Sequence, residues 1–326
     1  MKRKNIEKKL NTIFSNSVPD AIDSILTKCE IKKGFENKNM IKENNNKFKF
    51  YKLVMPLVLV VASLFGLIYY DKTYKADSII NFDVNPSVEL KINKNEKVIK
   101  ASALNVDGKK IIDGMDFEQV KLDVAVNALI GSMLKHGYIT TSENSILVSV
   151  KNENLKKADK IKDSITIKIN EILNESQING SILSQSFDKT AEVKSEISEG
   201  KTKLINDILA IKLTDKNGNL YTFDTLSKLS INELDLLLTE KDAKLNDVKK
   251  TGSVSKDDYI GKEKAKQIAF ENAKVNSTKA RDIEIDFDYE NGKMIYEIDF
   301  SFGNKEYEYD IDAKTGKIIN KEIEND

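Results

Sequence analysis

LVMPLVLVVASLFGLIYY, residues 53–70, is an unbroken apolar run without a charged side chain. At about 1.5 Å rise per residue it makes a helix of roughly 27 Å, close to the roughly 30 Å hydrocarbon core of a bilayer. The run predicts a single membrane crossing, so the chain before it and the chain after it are expected on opposite sides. Cytoplasmic flanks of spanning helices are enriched in Lys and Arg. Lys38, Lys42, Lys47, Lys49 and Lys52 crowd the N-terminal flank against Glu43, whereas Lys72 and Lys75 beyond the run are balanced by Asp71 and Asp77. The N-terminus is therefore expected in the cytoplasm and the C-terminal part outside the cell membrane. A cleaved signal peptide would need a short basic leader and a small-residue cleavage site. Here 52 residues precede the run, and it ends in Ile68-Tyr69-Tyr70.

The 52 basic and 52 acidic side chains of the 326-residue chain cancel, but not locally. Up to Lys52 there are 13 Lys/Arg against 6 Asp/Glu, a net of +7, and the remainder carries the compensating −7. Membrane orientation accounts for the basic side, which is too short and too poor in arginine to point to nucleic acid. Cys29 is the only cysteine and His136 the only histidine. An intrachain disulfide framework and a Cys/His zinc site are thereby excluded, and no metal or cofactor is expected. His136 followed by Gly137 reads as the last turn of a helix. No paired acid/base constellation or phosphate loop points to a conventional enzyme.

Residues 1–52 can form two short amphipathic helices. Ile6, Leu10 and Ile13 share one face over 5–14, and Ala21, Ile22, Ile25 and Leu26 share one over 20–29. Such helices are marginal alone in water. Two readings stay open: a fraying cytoplasmic tail, or a segment that folds onto a regulator with Ile22, Ile25 and Leu26 as its contacts.

Beyond the membrane the period changes to two. Strands are predicted over 78–84, with Ile80, Phe82 and Val84 on one face, over 87–92, with Val88, Leu90 and Ile92, and over 98–104. Asn85-Pro86 stands between the first two, and proline cannot donate to a ladder, so the point must be an edge, a bulge or a strand end. Asn105-Val106-Asp107-Gly108 is read as the turn that ends the third strand. A helix is expected from an Asp116 N-cap with Gln119 three residues on and a Met115/Val120 staple. It carries the stripe Leu122, Val126, Leu129, Ile130 and Met133 and is closed by Gly137. A buried strand at 145–151, a helix at 155–173, a strand at 181–187 and helices at 201–213 and 230–238 complete an α/β sandwich over 76–240. Residues 241–258, polar and lysine-rich, are read as a linker.

Residues 259–326 have their own logic: a helix at 261–274, then strands at 283–289, 294–302 and 307–312 separated by the hairpin signals Asn291-Gly292 and Gly303-Asn304. The whole is an α+β chain: membrane helix, α/β sandwich, and a small helix-plus-antiparallel-sheet domain. Between Arg281 and Asp312 there are eleven Asp/Glu against three Lys/Arg. No D-x-D-x-D-G loop is present, so these acids are read as a solvated face, suited to a basic envelope partner or a cell-wall polymer rather than to Ca²⁺.

FDVNPSVELKI, VIKASALNVDG and DVAVNALIGSMLKHGYI, within about 76–240, resemble the extracytoplasmic domain of the anti-sigma-I factor (RsgI-like) membrane proteins of Gram-positive bacteria. IGKEKAKQIAFENA and YEYDIDAKTGKII, within 259–320, resemble a PepSY domain. The N-terminal VPDAIDSILTKCE does not resemble the small β-rich sigma-binding unit of that family. The resemblance implies a signal-transducing membrane protein whose tail sequesters a sigma factor, and it implies self-cleavage at Asn85-Pro86. In the physical account, the Asn85 side-chain amide attacks its own carbonyl from a strained turn, leaving a succinimide and a new N-terminus at Pro86. Residues 86–326 would then stay attached only through one strand until load or a ligand parts them. The alternative from a different class is an envelope-located PepSY binding or protease-modulating protein with an inert tail.

Overall fold

The structure is a computed structural model describing residues 46–188, 197–215 and 218–325. The tail helices expected at 5–14 and 20–29, with Ile22, Ile25 and Leu26, lie outside the described residues. The chain divides into two units, Met1–Ser63 and Leu64–Asp326. The apolar run forms helix α1 (Asn46–Tyr74), with Pro56 inside it. Within α1 the span Met55–Tyr74 is, among the described residues, the one helix long and apolar enough to cross a membrane. Its side chains are bare: Leu57, Phe65 and Leu67 are each more than 60% exposed. A core helix of a water-soluble protein would cover that surface, whereas a bilayer solvates it.

The second unit contains two sheets. The first has six strands: β1 (Ser78–Asp83), β2 (Ser87–Ile92), β3 (Val98–Ala103), β4 (Ser145–Lys151), β5 (Ser181–Phe187) and β6 (Val248–Gly252), in the order β3-β2-β1-β4-β5-β6. Only β4 and β5 run parallel, joined by helix α4 (Leu155–Glu175) in a βαβ crossover. Between β3 and β4 lie α2 (Val106–Ile112) and α3 (Leu122–Lys135). Between β5 and β6 lie α5 (Glu199–Ala210), α6 (Phe223–Lys228) and α7 (Ile231–Glu240).

The alternation of each strand decides which layer it meets. Ile80, Phe82, Leu90, Val148 and Ile182 pack with Leu129 and Ile130 of α3 and Ile165 and Ile169 of α4. On the other face, Leu147 and Leu183 pack with Leu204 and Ile208 of α5 and Leu234 and Leu237 of α7. SILVSVK is therefore buried on both faces, as a strand between two helical layers requires: Ile146, Val148 and Val150 face one layer, and Leu147, between the buried Ser145 and Ser149, faces the other. Five helix starts are closed by their own side chains: Asn105, Asn154, Ser198, Thr222 and Ser230 each accept an N–H from the first turn, and Ser230 forms a full capping box with Glu233.

The second sheet is a meander of β7 (Arg281–Glu290), β8 (Lys293–Phe302), β9 (Lys305–Asp312) and β10 (Ile318–Asn325), backed by α8 (Lys262–Ala273). Phe270 of α8 meets Phe300 edge-on at 4.7 Å between ring centroids. Its apolar face is continuous with the α5–α7 layer, so Phe287, Tyr296 and Tyr309 belong to the same buried cluster as Leu204 and Leu237.

Four expectations change. The linker at 241–258 contains β6, a polar edge strand on β5. The 105–108 turn opens α2 instead. The helix expected from Asp116 begins at Leu122, because Gln119 takes a left-handed φ of 59° and Lys121 bridges to Lys97. The acids of the second sheet are not simply solvated: Asp288, Glu297, Asp310 and Asp312 are buried, Asp288 against Lys241 and Asp312 against Lys293.

Candidate functional site

Asn85 and Pro86 lie in the three-residue connection of the β1–β2 hairpin, between the Asp83↔Ser87 pair. The Val84 N–H donates to the Pro86 carbonyl at 3.0 Å, which closes the reversal. Asn85 is exposed and Pro86 is buried. No residue of 84–86 has a left-handed φ, so the strained turn is not what holds this site. Hydrogen bonds hold it instead.

Asn105, which precedes α2, supplies most of them. Its Oδ1 accepts the Gly108 N–H at 2.7 Å, as an N-cap does, and the Ser87 N–H at 3.1 Å. Both partners are donors, so the oxygen must face them, and the amide nitrogen is left pointing at an acceptor. That acceptor is the Asn85 carbonyl oxygen, 3.0 Å from Asn105 Nδ2. The approach is close: a Cβ on Gly108 would lie 2.2 Å from the Ser87 carbonyl oxygen, which also accepts the Leu104 N–H at 2.9 Å.

On the other side of the hairpin end, Asp83 is 1% exposed. Ser198 Oγ donates to its Oδ2 at 2.6 Å and Ser87 Oγ to its Oδ1 at 2.5 Å. Burial pushes the carboxyl above its ordinary pKa, against the hydrogen bonds from Ser198 and Ser87 and the attraction of Lys201. Lys201 is itself pushed down by burial, against the attraction of Asp83 and Glu233, and its ammonium donates to the Ser227 and Leu229 carbonyls. Ser198 is also the N-cap of α5, so Asp83 ties the last residue of β1 to the start of that helix.

β1 is not an edge. It is paired antiparallel over six positions with β2 and over five with β4, in the middle of the sheet. At its other end, Asp77 receives Asn152 Nδ2 on its carbonyl at 2.9 Å and Lys157 Nζ on its carboxylate at 2.7 Å. The end of α1 is held as well: Asn93 Nδ2 donates to the Thr73 carbonyl at 2.8 Å, and Lys94 pairs with Asp71.

Asn85 and Pro86 thus fall at the tip of a doubly paired strand, and the tail residues proposed for partner binding fall outside the described residues. Among the described residues no group of three or more His, Cys, Asp or Glu is arranged to hold a metal ion. His136 caps α3, its Nδ1 2.8 Å from the Ser132 carbonyl oxygen, far in sequence from the hairpin. Sequence reasoning missed Asn105 and Asp83. The first was legible in part, since Asn is among the favoured N-cap residues. The second needed the position of α5, which no local pattern gives.

Residues 77–207 match the family model described as the anti-sigma factor RsgI-like central domain, and residues 259–322 match the peptidase propeptide and YPEB (PepSY) domain. Over 179 residues the chain is 26% identical to the anti-sigma-I factor RsgI7 of Acetivibrio thermocellus, covering 54% of this chain and 31% of that protein. It is 28% identical over 114 residues to the anti-sigma-I factor RsgI of Bacillus subtilis, covering 33% and 30%. It is 23% identical over 224 residues to RsgI8 of Acetivibrio thermocellus, covering 61% and 52%. The chain thus spans between about a third and about half the length of these relatives. The chain carries an RsgI-like central domain followed by a PepSY domain, and the β1–β2 hairpin with Asn85 and Pro86 lies inside the first.

Proposed function

We propose that this chain is a single-pass membrane regulator of the anti-sigma-I kind, with its N-terminus in the cytoplasm and both sheets outside. Its tail sequesters a sigma factor, with Ile22, Ile25 and Leu26 as contacts, and its outer domain cuts itself between Asn85 and Pro86. The observation that carries the reading is the placing of Asn85-Pro86 at the tip of an interior hairpin in a domain of RsgI-like sequence.

The chemistry needs no outside group. Asn85 Nδ2 attacks the Asn85 carbonyl carbon, closing a five-membered succinimide. The C–N bond to Pro86 breaks, and the proton lost from Nδ2 ends on the Pro86 nitrogen. Proline favours this direction, because it lacks the N–H with which the following residue would otherwise attack the asparagine side chain. Holding nucleophile and electrophile in one residue supplies proximity, which in good intramolecular cases lowers the barrier by about 7 to 11 kcal/mol.

A cut here leaves a stub of α1 and β1 that ends at Asn85, while β2 and everything after it stay bound through the β1 ladders and Asp83. Both neighbours of β1 would have to let go for the pieces to part, so the junction holds at rest and yields under load or on a change in the outer domain. The freed stub is then a short membrane peptide open to further proteolysis.

The test uses the full chain in membranes. The wild type should run as two bands on a denaturing gel, the larger beginning at Pro86 by mass spectrometry, and co-purify as one species under native conditions. Asn85→Ala should fold and remain a single chain. An intact wild-type chain would rule the self-cleavage out. Pulldown with residues 1–52 tests the tail: recovery of no sigma factor would instead support the reading of a PepSY module with an inert tail.

A further inference from the structure

The Asn85 carbonyl oxygen is the atom on which negative charge builds when the Asn85 amide attacks, and a side-chain donor already sits on it. Asn105 Nδ2 is 3.0 Å from that oxygen, within the range for N–H···O hydrogen bonds. We propose that Asn105 is a catalytic residue of the cleavage, the hydrogen-bond donor that stabilises the oxyanion at Asn85. The inference rests on self-cleavage at Asn85-Pro86 and adds to it the group that lowers its barrier.

Three observations separate this from an ordinary surface hydrogen bond. The donor is oriented: with Oδ1 committed to the Gly108 and Ser87 N–H groups, turning the amide over would break all three of its hydrogen bonds and set Oδ1 against the Asn85 oxygen. It is fixed to a rigid part, because α2 is pressed on the Ser87 backbone where only glycine fits at position 108. It also spans the scissile bond, accepting from the Ser87 N–H on one side and donating to the Asn85 oxygen on the other. A donor placed before charge develops needs no reorganisation during the reaction, which is the basis of oxyanion-hole stabilisation.

The balance is that of the cleavage itself. The Nδ2–C bond of Asn85 forms, the carbonyl oxygen becomes an oxyanion hydrogen-bonded to Asn105, and its collapse expels the Pro86 nitrogen, which takes the proton released by Nδ2. Asn105 gives up no proton and returns unchanged.

The experiment follows the appearance of the Pro86 N-terminus with time, using full chain newly synthesised into lipid vesicles. Asn105→Asp keeps an oxygen for Gly108 and Ser87 and remains a good N-cap, but has no donor for the Asn85 oxygen. Asn105→Ala loses both. Removing one oxyanion donor slows hydrolases by about 10²- to 10³-fold, so both variants should cut at least about 10²-fold more slowly than the wild type. Their folding is read separately as thermal melting in an Asn85→Ala background, where no cleavage intervenes. Asn105→Asp cutting at the wild-type rate, with or without a slow Asn105→Ala, would overturn the inference, because acceptance alone would then suffice. A wild-type chain that stays whole would overturn the self-cleavage reading and this inference with it.

Discussion

Burial of Asp83 sets a pH dependence whose sign differs from that of most carboxylates in folded proteins. Its carboxyl is pushed above the ordinary value, chiefly by desolvation. The folded domain therefore binds this proton more tightly than the unfolded chain, and stability falls as pH rises. The contribution is full below the ordinary carboxylate pKa and is lost as pH climbs through the raised one. Asp83→Asn should accordingly melt higher than wild type at pH 7 to 8 and converge with it near pH 4, measured as Tm by circular dichroism. A wild-type advantage at pH 8 would mean that the hydrogen bonds from Ser198 and Ser87 and the attraction of Lys201 outweigh desolvation. Asp83 and Asn105 stand two residues before and twenty after Asn85 in the chain, and the role of neither follows from that spacing. The contact of Asn105 with the hairpin depends on β3 pairing with β2, and that of Asp83 with Ser198 depends on a helix more than a hundred residues downstream.

At the scale of elements, the alternation of β1 and β2 and the apolar stripe of α3 were readable because Ile80 and Phe82, Val88 and Leu90, and Leu129 and Met133 recur at strand and helix spacing and join one buried cluster. What failed had a local cause in each case. α2 begins with Val106, Asp107 and Gly108, poor helix formers that read as a turn, and it is a helix of 7 residues held by its Asn105 cap and by contact with β2. β6 is VKKTG, which lacks the apolar alternation of a strand because as an edge strand it buries little. Gly108 is the element-scale weak point of the hairpin. A methyl group there would lie 2.2 Å from the Ser87 carbonyl oxygen, and since that atom is backbone, α2 has to move. Gly108→Ala should cost about 1 to 3 kcal/mol in urea unfolding and slow cleavage at Asn85 by drawing Asn105 away from it. Unchanged stability would show that α2 yields freely and does not position the turn.

For the whole molecule, the question is whether the two sheets report to one another. The unit Leu64–Asp326 is continuous, and one buried cluster runs from Leu147 and Leu204 through Leu237 to Phe287 and Tyr309. A buried polar link crosses the same boundary: Lys241, just after α7, pairs with Asp288 of β7 at 3.0 Å, and the Tyr221 hydroxyl donates to the same carboxylate. The polar link would not be expected of a free linker, and it gives the PepSY sheet a path to the α5–α7 layer, whose first turn holds Asp83. Removing one partner of a buried pair leaves an uncompensated charge and typically costs about 3 to 5 kcal/mol. Lys241→Ala should therefore fall near the lower end of that range, since Tyr221 still hydrogen-bonds Asp288. The loss should appear in both sheets together, as one urea transition with hydrogen exchange accelerated alike in β1 and β8. If β7–β10 unfolded first while β1 stayed protected, the second sheet would be an independent domain. A ligand bound there would then have no route through the fold to the Asn85-Pro86 hairpin.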